Sequence, residues 1–354
     1  KGKDMTTNTH IMGGLTFAMM MAVGSLALMS APVQAETAPA ALIIAQGGLG
    51  DESWNDSANR GFQAGLKKAS VKGRPIESKD VVAQGEEIMR RAADSGFGLV
   101  ISLEWIHGEP MEKLAVDYPD TNWVIVNQTR KGKNVASVVF AEHEGSYLAG
   151  ALAAQVTTDT SIKGINAAPV IGVIGGFKAP GIDKFIIGYI QGAKSINPNI
   201  DVKVAYADSF GDPAKGQQLA KAMFDEGADI VYQVAGGTGI GIIEAAKAEG
   251  HYAIGVDTDQ DSMAPGSVLT SMIKRIDVAL EDVVVNYADG KFPGGTVIGF
   301  GLAQNGVALS DMKHTKHLIP AAYLDKVASI KADIISGSIK VWDNTNQGYP
   351  DFFK

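Results

Sequence analysis

Val202-Lys203-Val204-Ala205-Tyr206-Ala207 opens into Asp208-Ser209-Phe210-Gly211-Asp212-Pro213; residues 229–235 open into Gly236-Gly237-Thr238-Gly239; residues 252–256 open into Asp257-Thr258-Asp259-Gln260. Three β-branched runs in succession thus end in loop-forming polar residues. Helix-like stretches over 215–226 and 241–249 separate them, the spacing of βαβ units in a parallel sheet. In such sheets ligands sit outside the carboxyl ends of the strands. Here those ends carry an aromatic face, a glycine-rich backbone and a carboxylate, which suits a small polar ligand with a flat ring. The pattern reads as a binding site before a catalytic one.

The same alternation extends outward. Further strand candidates are 41–46, 99–103, 123–127, 135–140, 170–174 and 268–272, with helices expected over 85–94, 145–155, 183–195 and 275–288. More than eight strands imply two doubly wound sheets and so an α/β protein of two lobes. The turn-rich stretch 157–169 is a compositional candidate for the boundary between them. The tail after Ser338, rich in Asn and Gly, is expected to pack over a lobe.

At 354 residues the chain is long enough for two domains. Net charge is -8 with no basic block, which argues against nucleic acid as a partner; the basic cluster within 67–74 reads as a solvated helix end. Residues 11–29 are apolar, and Ala31-Pro32-Val33-Gln34-Ala35 offers an Ala-x-Ala cleavage site before Glu36, the layout of a secretory signal peptide over 1–35. That segment holds two Lys and one Asp, net +1, so the mature chain would carry -9. The chain has no cysteine, hence no disulfide and no N-terminal lipid anchor through Cys. A free protein of the periplasm is expected.

Several motifs imitate other chemistries. Gly237-Thr-Gly-Ile-Gly-Ile resembles a dinucleotide fingerprint, but its third glycine is replaced by Ile242. The glycines either bring backbone N–H groups to a polar ligand or serve a tight turn. His314-x-x-His317 lacks a third ligand nearby, so no metal is expected. No nucleophile elbow is present, and no cofactor is implied. Asp212-Pro213 reads as a helix start with Asp212 as cap. Gly48-Leu-Gly-Asp51-Glu-Ser-Trp54-Asn55-Asp56-Ser57 supplies carboxylate, indole and amide groups at the end of the first strand; Asp51 or Asn55 also suits a helix cap there.

Taken together, residues 48–57, Gly175-Gly-Phe, Phe185-x-x-Gly188-Tyr, Asp208-Ser-Phe-Gly-Asp-Pro-Ala-Lys-Gly216, Val234-Ala-Gly-Gly-Thr-Gly239, Ala253-Ile-Gly-Val-Asp257-x-Asp-Gln260 and Leu269-Thr-Ser-Met-x-Lys274-Arg resemble the basic membrane protein family, over roughly residues 42–337. These are substrate-binding proteins of ABC importers, several of which bind purine nucleosides. The resemblance implies a type I periplasmic-binding-protein fold: two Rossmann-like lobes, three crossing segments and a ligand cleft between the lobes. It implies lobe 1 over 36–141 plus about 266–292, and lobe 2 over 142–265 plus about 293–354. By position, Phe210 would stack on the base. Asp257 and Lys274 would bond the ribose hydroxyls, and Gly237 would give a backbone contact. Asp51 and Asn55 match the first-lobe polar cluster, with Trp54 beside them, and Glu144 matches an acidic position facing the base edge. One position departs: a second stacking aromatic, four residues after Asn55, is Asn59 here.

The expected function is therefore a non-enzymatic, monomeric receptor that hands a nucleoside to an inner-membrane ABC permease. A sugar or polyol receptor on the same fold is the alternative, since Asp257 and Lys274 suit any vicinal diol. An exported nucleoside-processing enzyme is a third reading, carried only by the Asp257–Asp259–Asp261 run.

Overall fold

The computed structural model describes residues 36–353; the signal-peptide reading of 1–35 lies outside them. In chain order the strands are β1 Ala40–Ile43, β2 Gly73–Ile76, β3 Leu99–Ser102, β4 Asn122–Val126, β5 Val135–Phe140, β6 Val170–Gly175, β7 Asp201–Tyr206, β8 Ile230–Val234, β9 Tyr252–Asp257, β10 Val268–Lys274, β11 Val297–Phe300 and β12 Val307–Leu309. The helices are α1 Trp54–Ala69, α2 Gly85–Asp94, α3 Gly108–Asp117, α4 Glu142–Val156, α5 Pro180–Ile196, α6 Pro213–Asp225, α7 Thr238–Glu249, α8 Ile276–Ala288, α9 Ala321–Ile335 and α10 Asn344–Gln347.

Two six-stranded sheets result, ordered β2-β1-β3-β4-β5-β11 and β7-β6-β8-β9-β10-β12. Every pairing is parallel except β10 with β12. The two orders are the same doubly wound plan, so each sheet has a switch point, between β1 and β3 and between β6 and β8, where a crevice opens at the strands' carboxyl ends. Strands such as β1, β3, β8 and β9 are buried along their whole length, as parallel strands covered by helices on both faces must be.

The chain crosses between lobes three times: from β5 into α4, from β10 into α8, and from β11 towards β12. Neighbouring crossings are tied together. Ala141 N donates to Phe300 O at 2.9 Å, Arg275 N donates to Gly306 O at 2.9 Å, and the Phe140 and Phe300 rings stack at 5.2 Å. Sheet membership differs from the boundaries expected above. β10 belongs to the second sheet, whereas β11 belongs to the first and α8 packs on α1. By sheet membership the second piece of lobe 1 is thus about 275–300, not about 266–292. A buried apolar strand carries no mark of which sheet it joins. The turn-rich stretch 157–169 lies inside lobe 2, between α4 and β6, and the first crossing falls at Ala141 instead.

Candidate functional site

Between the lobes lies a cavity of about 760 Å³ into which the carboxyl ends of both sheets project. Asp51, Trp54, Asn55, Glu144, Phe210, Asp257 and Lys274 all line it. Of the residues expected there, Gly237 alone does not; the cleft is lined by Gly236, whose φ of +54° a glycine adopts without strain. Gly237 has a helical φ and packs against the backbone oxygen of Phe210.

The loop from β1 to α1 forms the first-lobe rim. The Asp51 carboxylate accepts the backbone N–H groups of Ser53 (3.0 Å), Asn55 (2.8 Å) and Asp56 (3.1 Å), so it satisfies the exposed donors at the start of α1. Burial pushes its pKa up to about 6 against those bonds, and the charge of Asp257 adds to the rise. The Asn55 side chain closes a ring: Oδ1 accepts Ala45 N at 3.0 Å and Nδ2 donates to Gln46 O at 3.2 Å. Both residues spend most of their bonding capacity holding the rim, so the helix-cap reading holds for Asp51 without removing it from the cleft wall. Trp54 follows with its ring at the cavity. Asn59 does not line it and instead accepts from Gln63 Nε2 at 3.3 Å. The aromatic residues on the first-lobe side of the cavity are Trp54, Trp105, Phe140 and Phe300.

The second lobe answers with Phe210, half-buried, tilted against Phe177 at 5.3 Å. A Cβ on Gly176 would sit 2.1 Å from the Phe210 ring, so only glycine allows the ring this place. Asp257 ends β9 in left-handed backbone, φ +66°, a conformation that Asp tolerates better than most residues. Its carboxylate is buried and accepts from Ser53 Oγ of the opposite lobe at 2.6 Å. Burial raises its pKa; the ammonium of Lys274 and the Ser53 bond oppose the rise.

Lys274 is 1% exposed and lies at the second crossing. It ion-pairs with Glu142 at 2.7 Å rather than with Asp257, donates to Asn127 Oδ1 at 2.9 Å, and sits 4.2 Å from the Trp54 ring centroid. Glu142 also pairs with Lys184 at 3.2 Å. Burial alone would raise the Glu142 pKa, but the two ammonium groups hold it down at about 2. Glu144 accepts Leu302 N at 2.9 Å and so ties the first crossing to the third.

Residues that the sequence reading did not single out complete the wall: Gln46, Glu104, Asn127 and, from the C-terminal tail, Asp343, Thr345 and Asn346. Glu104 is 1% exposed and accepts from Gln46 N at 3.2 Å and from its side-chain amide at 3.3 Å. Gln46, Glu104 and Asn127 all lie just past β1, β3 and β4, so the carboxyl-end rule, applied to lobe 1 as it was to lobe 2, points to them. Among the described residues no group of three or more His, Asp or Glu side chains could hold a metal ion, His314 and His317 included. The glycines of the pseudo-fingerprint serve packing: Cβ atoms at Gly239 and Gly241 would meet the Gln233 side chain at 2.0 Å and Pro213 O at 1.8 Å.

Buried carboxyls give the protein an expected acid response. Burial pushes Asp51, Asp229 and Asp261 up to about 6, the charge of Asp259 adding to the last. With ordinary values near 4 in the unfolded chain, these three carboxyls bind more protons in the folded state between about pH 4 and 6 and favour it as pH falls. Burial of His143, held down to about 4, and of His107, also lowered, opposes them over the same window, and the three carboxyls outweigh the two imidazoles. Glu142 acts oppositely: its contribution is present above its ordinary pKa and is lost as pH falls through about 2. Thermal melts followed by circular dichroism should give a higher midpoint at about pH 5 than at about pH 7.5, then a fall towards about pH 2. A midpoint that is flat or lower at about pH 5 contradicts these assignments.

Comparison with known proteins agrees with this geometry. The ABC transporter substrate-binding protein PnrA-like (Bmp) family matches residues 38–345. The ABC transporter nucleoside-binding protein BmpA of Lactococcus lactis subsp. cremoris is 35% identical over 323 residues, covering 85% of this chain and 88% of that protein. Among solved structures, an ABC transporter system solute-binding protein from Aeropyrum pernix K1 superposes with a TM-score of 0.80 at 27% identity, covering 86% of this chain and 93% of that one. An ABC transporter solute binding protein from Bacillus halodurans C-125 with bound myo-inositol shares the fold alone: TM-score 0.56, 14% identity, 83% and 98% coverage. With its two doubly wound lobes and the cleft between them, the chain belongs to the PnrA-like family of ABC transporter substrate-binding proteins, on the type I periplasmic-binding-protein fold.

Proposed function

We propose that this chain is the periplasmic receptor of an ABC importer for a nucleoside, of the purine type, which it binds in the interlobe cleft and hands to the permease as a monomer. It is read as exported by the signal-peptide layout of residues 1–35. The observation that carries the ligand class is the pairing of Trp54 and Phe210 from opposite lobes with Asp257 and Lys274 in one cavity of about 760 Å³. Two ring faces suit a planar base. A carboxylate beside an ammonium suits the vicinal hydroxyls of a ribose. The lining also carries Asp51, Glu104, Glu144 and Asp343 against the cations Lys184 and Lys274, a balance that disfavours phosphorylated ligands. The name of the lactococcal relative, a nucleoside-binding protein, points the same way.

A sugar or polyol receptor is the second reading, because the Asp257–Lys274 pair alone would hold any vicinal diol. Calorimetric titration with adenosine, guanosine, inosine, cytidine, ribose and myo-inositol separates the two. The nucleoside reading expects binding of at least one purine ribonucleoside and none of the free polyols; the reverse overturns it. Within the same titrations, Phe210→Ala should weaken nucleoside binding by about 1–3 kcal/mol, roughly one to two decades, the worth of one base–aromatic stack. Its ring is only half-buried, so the unfolding midpoint should hardly move. Unchanged affinity, or gross loss of fold, would return Phe210 to the core.

A further inference from the structure

After α9 the chain reverses at Gly337 (φ +79°) and runs back along α5 as a strap, residues 339–353. Five side-chain contacts fix it there. Gln191 donates to Lys340 O at 3.2 Å and accepts Trp342 N at 2.9 Å, so one amide holds two strap residues. Asn344 Nδ2 donates to Pro180 O at 2.9 Å. The Tyr349 hydroxyl donates to Asp183 at 2.7 Å, and that fully buried carboxylate also accepts from Tyr206 at 2.5 Å. Asp343 pairs with Lys184 at 3.6 Å.

Asp343, Thr345 and Asn346 line the same cavity as Trp54 and Phe210, with Thr345 and Asn346 open to solvent at its edge. The Asp343 carboxylate accepts Thr345 N at 3.0 Å, the Thr345 hydroxyl, and Asn346 Nδ2 at 2.7 Å, so both side chains are held in one orientation. The Asn346 amide oxygen and its second N–H, and the acceptor capacity of the Thr345 hydroxyl, remain for another partner. The strap is also wired to the cleft lysine. Asp343, Lys184, Glu142 and Lys274 form a continuous series of ion pairs at 3.6, 3.2 and 2.7 Å.

We propose that the strap is a third wall of the ligand site, and that Thr345 and Asn346 bond a neutral polar group of the ligand, a hydroxyl or amide. The acidic Asp343 behind them selects against phosphate at that position. The proposal rests on the cleft being the ligand site, as in the reading above, but not on the ligand being a nucleoside. The family match ends at residue 345, within this strap.

The test compares wild type with Asn346→Ala, Thr345→Val/Asn346→Ala and Tyr349→Phe. Calorimetry uses guanosine, inosine and adenosine in one arm, ribose and myo-inositol in the other, and reads whichever compound wild type binds. The double variant should weaken binding about tenfold, the loss of two neutral hydrogen bonds, with an unchanged unfolding midpoint because both side chains are exposed. Tyr349→Phe, which frees the far anchor, should weaken binding by a smaller factor. If the double variant loses midpoint, Asn346→Ala alone decides. Affinity within about twofold of wild type in these variants overturns the proposal. Wild-type binding of ribose or inositol alone overturns the nucleoside reading while the strap is still read on that compound. Binding of neither class overturns both.

Discussion

Lys274→Met lowers the unfolding free energy by about 3–5 kcal/mol and removes ligand binding with it. The ammonium is 1% exposed, pairs with Glu142 at 2.7 Å and donates to Asn127 at 2.9 Å. Methionine fills much of the same volume, so the cost is not a cavity. It is the loss of one of the two cations that hold Glu142 ionised inside the protein, together with a stranded amide oxygen on Asn127. Lys184 at 3.2 Å keeps part of the compensation, which places the expected value towards the lower end of the range. Lys274 also lies at the second crossing between lobes and Glu142 at the first, so the pair bridges two connections about which the lobes would move. Urea titration followed by circular dichroism checks the number, and Glu142→Gln in the Lys274→Met background should recover part of it. A loss below about 1 kcal/mol would mean that the pair is not carrying a buried charge.

Among variants that keep the fold, Asp257→Ala should have the largest effect on binding. A carboxylate that accepts from two ligand hydroxyls makes charge-assisted bonds worth about 1.5–3 kcal/mol each. Together they amount to about two to four decades of affinity. In the structure one oxygen already accepts from Ser53 across the cleft at 2.6 Å, and burial keeps the group short of other donors. A ligand diol would supply them. The same substitution cuts the Ser53 bond between the lobes, so Asp257→Asn, which keeps the shape and tolerates the φ of +66°, separates charge from geometry. Affinity of Asp257→Ala within about threefold of wild type would return the residue to a turn-capping role.

The second lobe was legible because its strand ends are abrupt. Apolar runs stop at Asp208, Gly236 and Asp257, and β7, β8 and β9 end at Tyr206, Val234 and Asp257. β2 was missed because Gly73 and Pro75 break its apolar pattern; as an edge strand it tolerates a proline that a central strand would not. β11 and β12 are short, four and three residues, and β11 is half exposed, so neither has a run to recognise. The site was legible where one residue type has one use, as with Phe210 or Asp257. It was not legible where position within a turn decides, as between Gly236 and Gly237. Nor could the pairing of Lys274 be read from the chain: the sequence brings it near Asp257, whereas its ion-pair partner is Glu142, 132 residues away in sequence. The strap was expected over a lobe, but a stretch of Asn, Thr and Gln carries no periodicity that says which wall it will join.

The central claim is that Asp257 and Lys274 hold a ribose beneath a base placed between Trp54 and Phe210. It is tested most directly by titrating wild-type protein with a purine ribonucleoside, its 2′-deoxy analogue and the free base in one calorimetric series. The ribonucleoside should bind tightest. The deoxy analogue should be weaker by about one to two decades, because a carboxylate built to accept from a hydroxyl is left short of one. The free base should be weaker still. Equal affinity for all three would contradict the account, since the ribose would then not be what Asp257 and Lys274 hold.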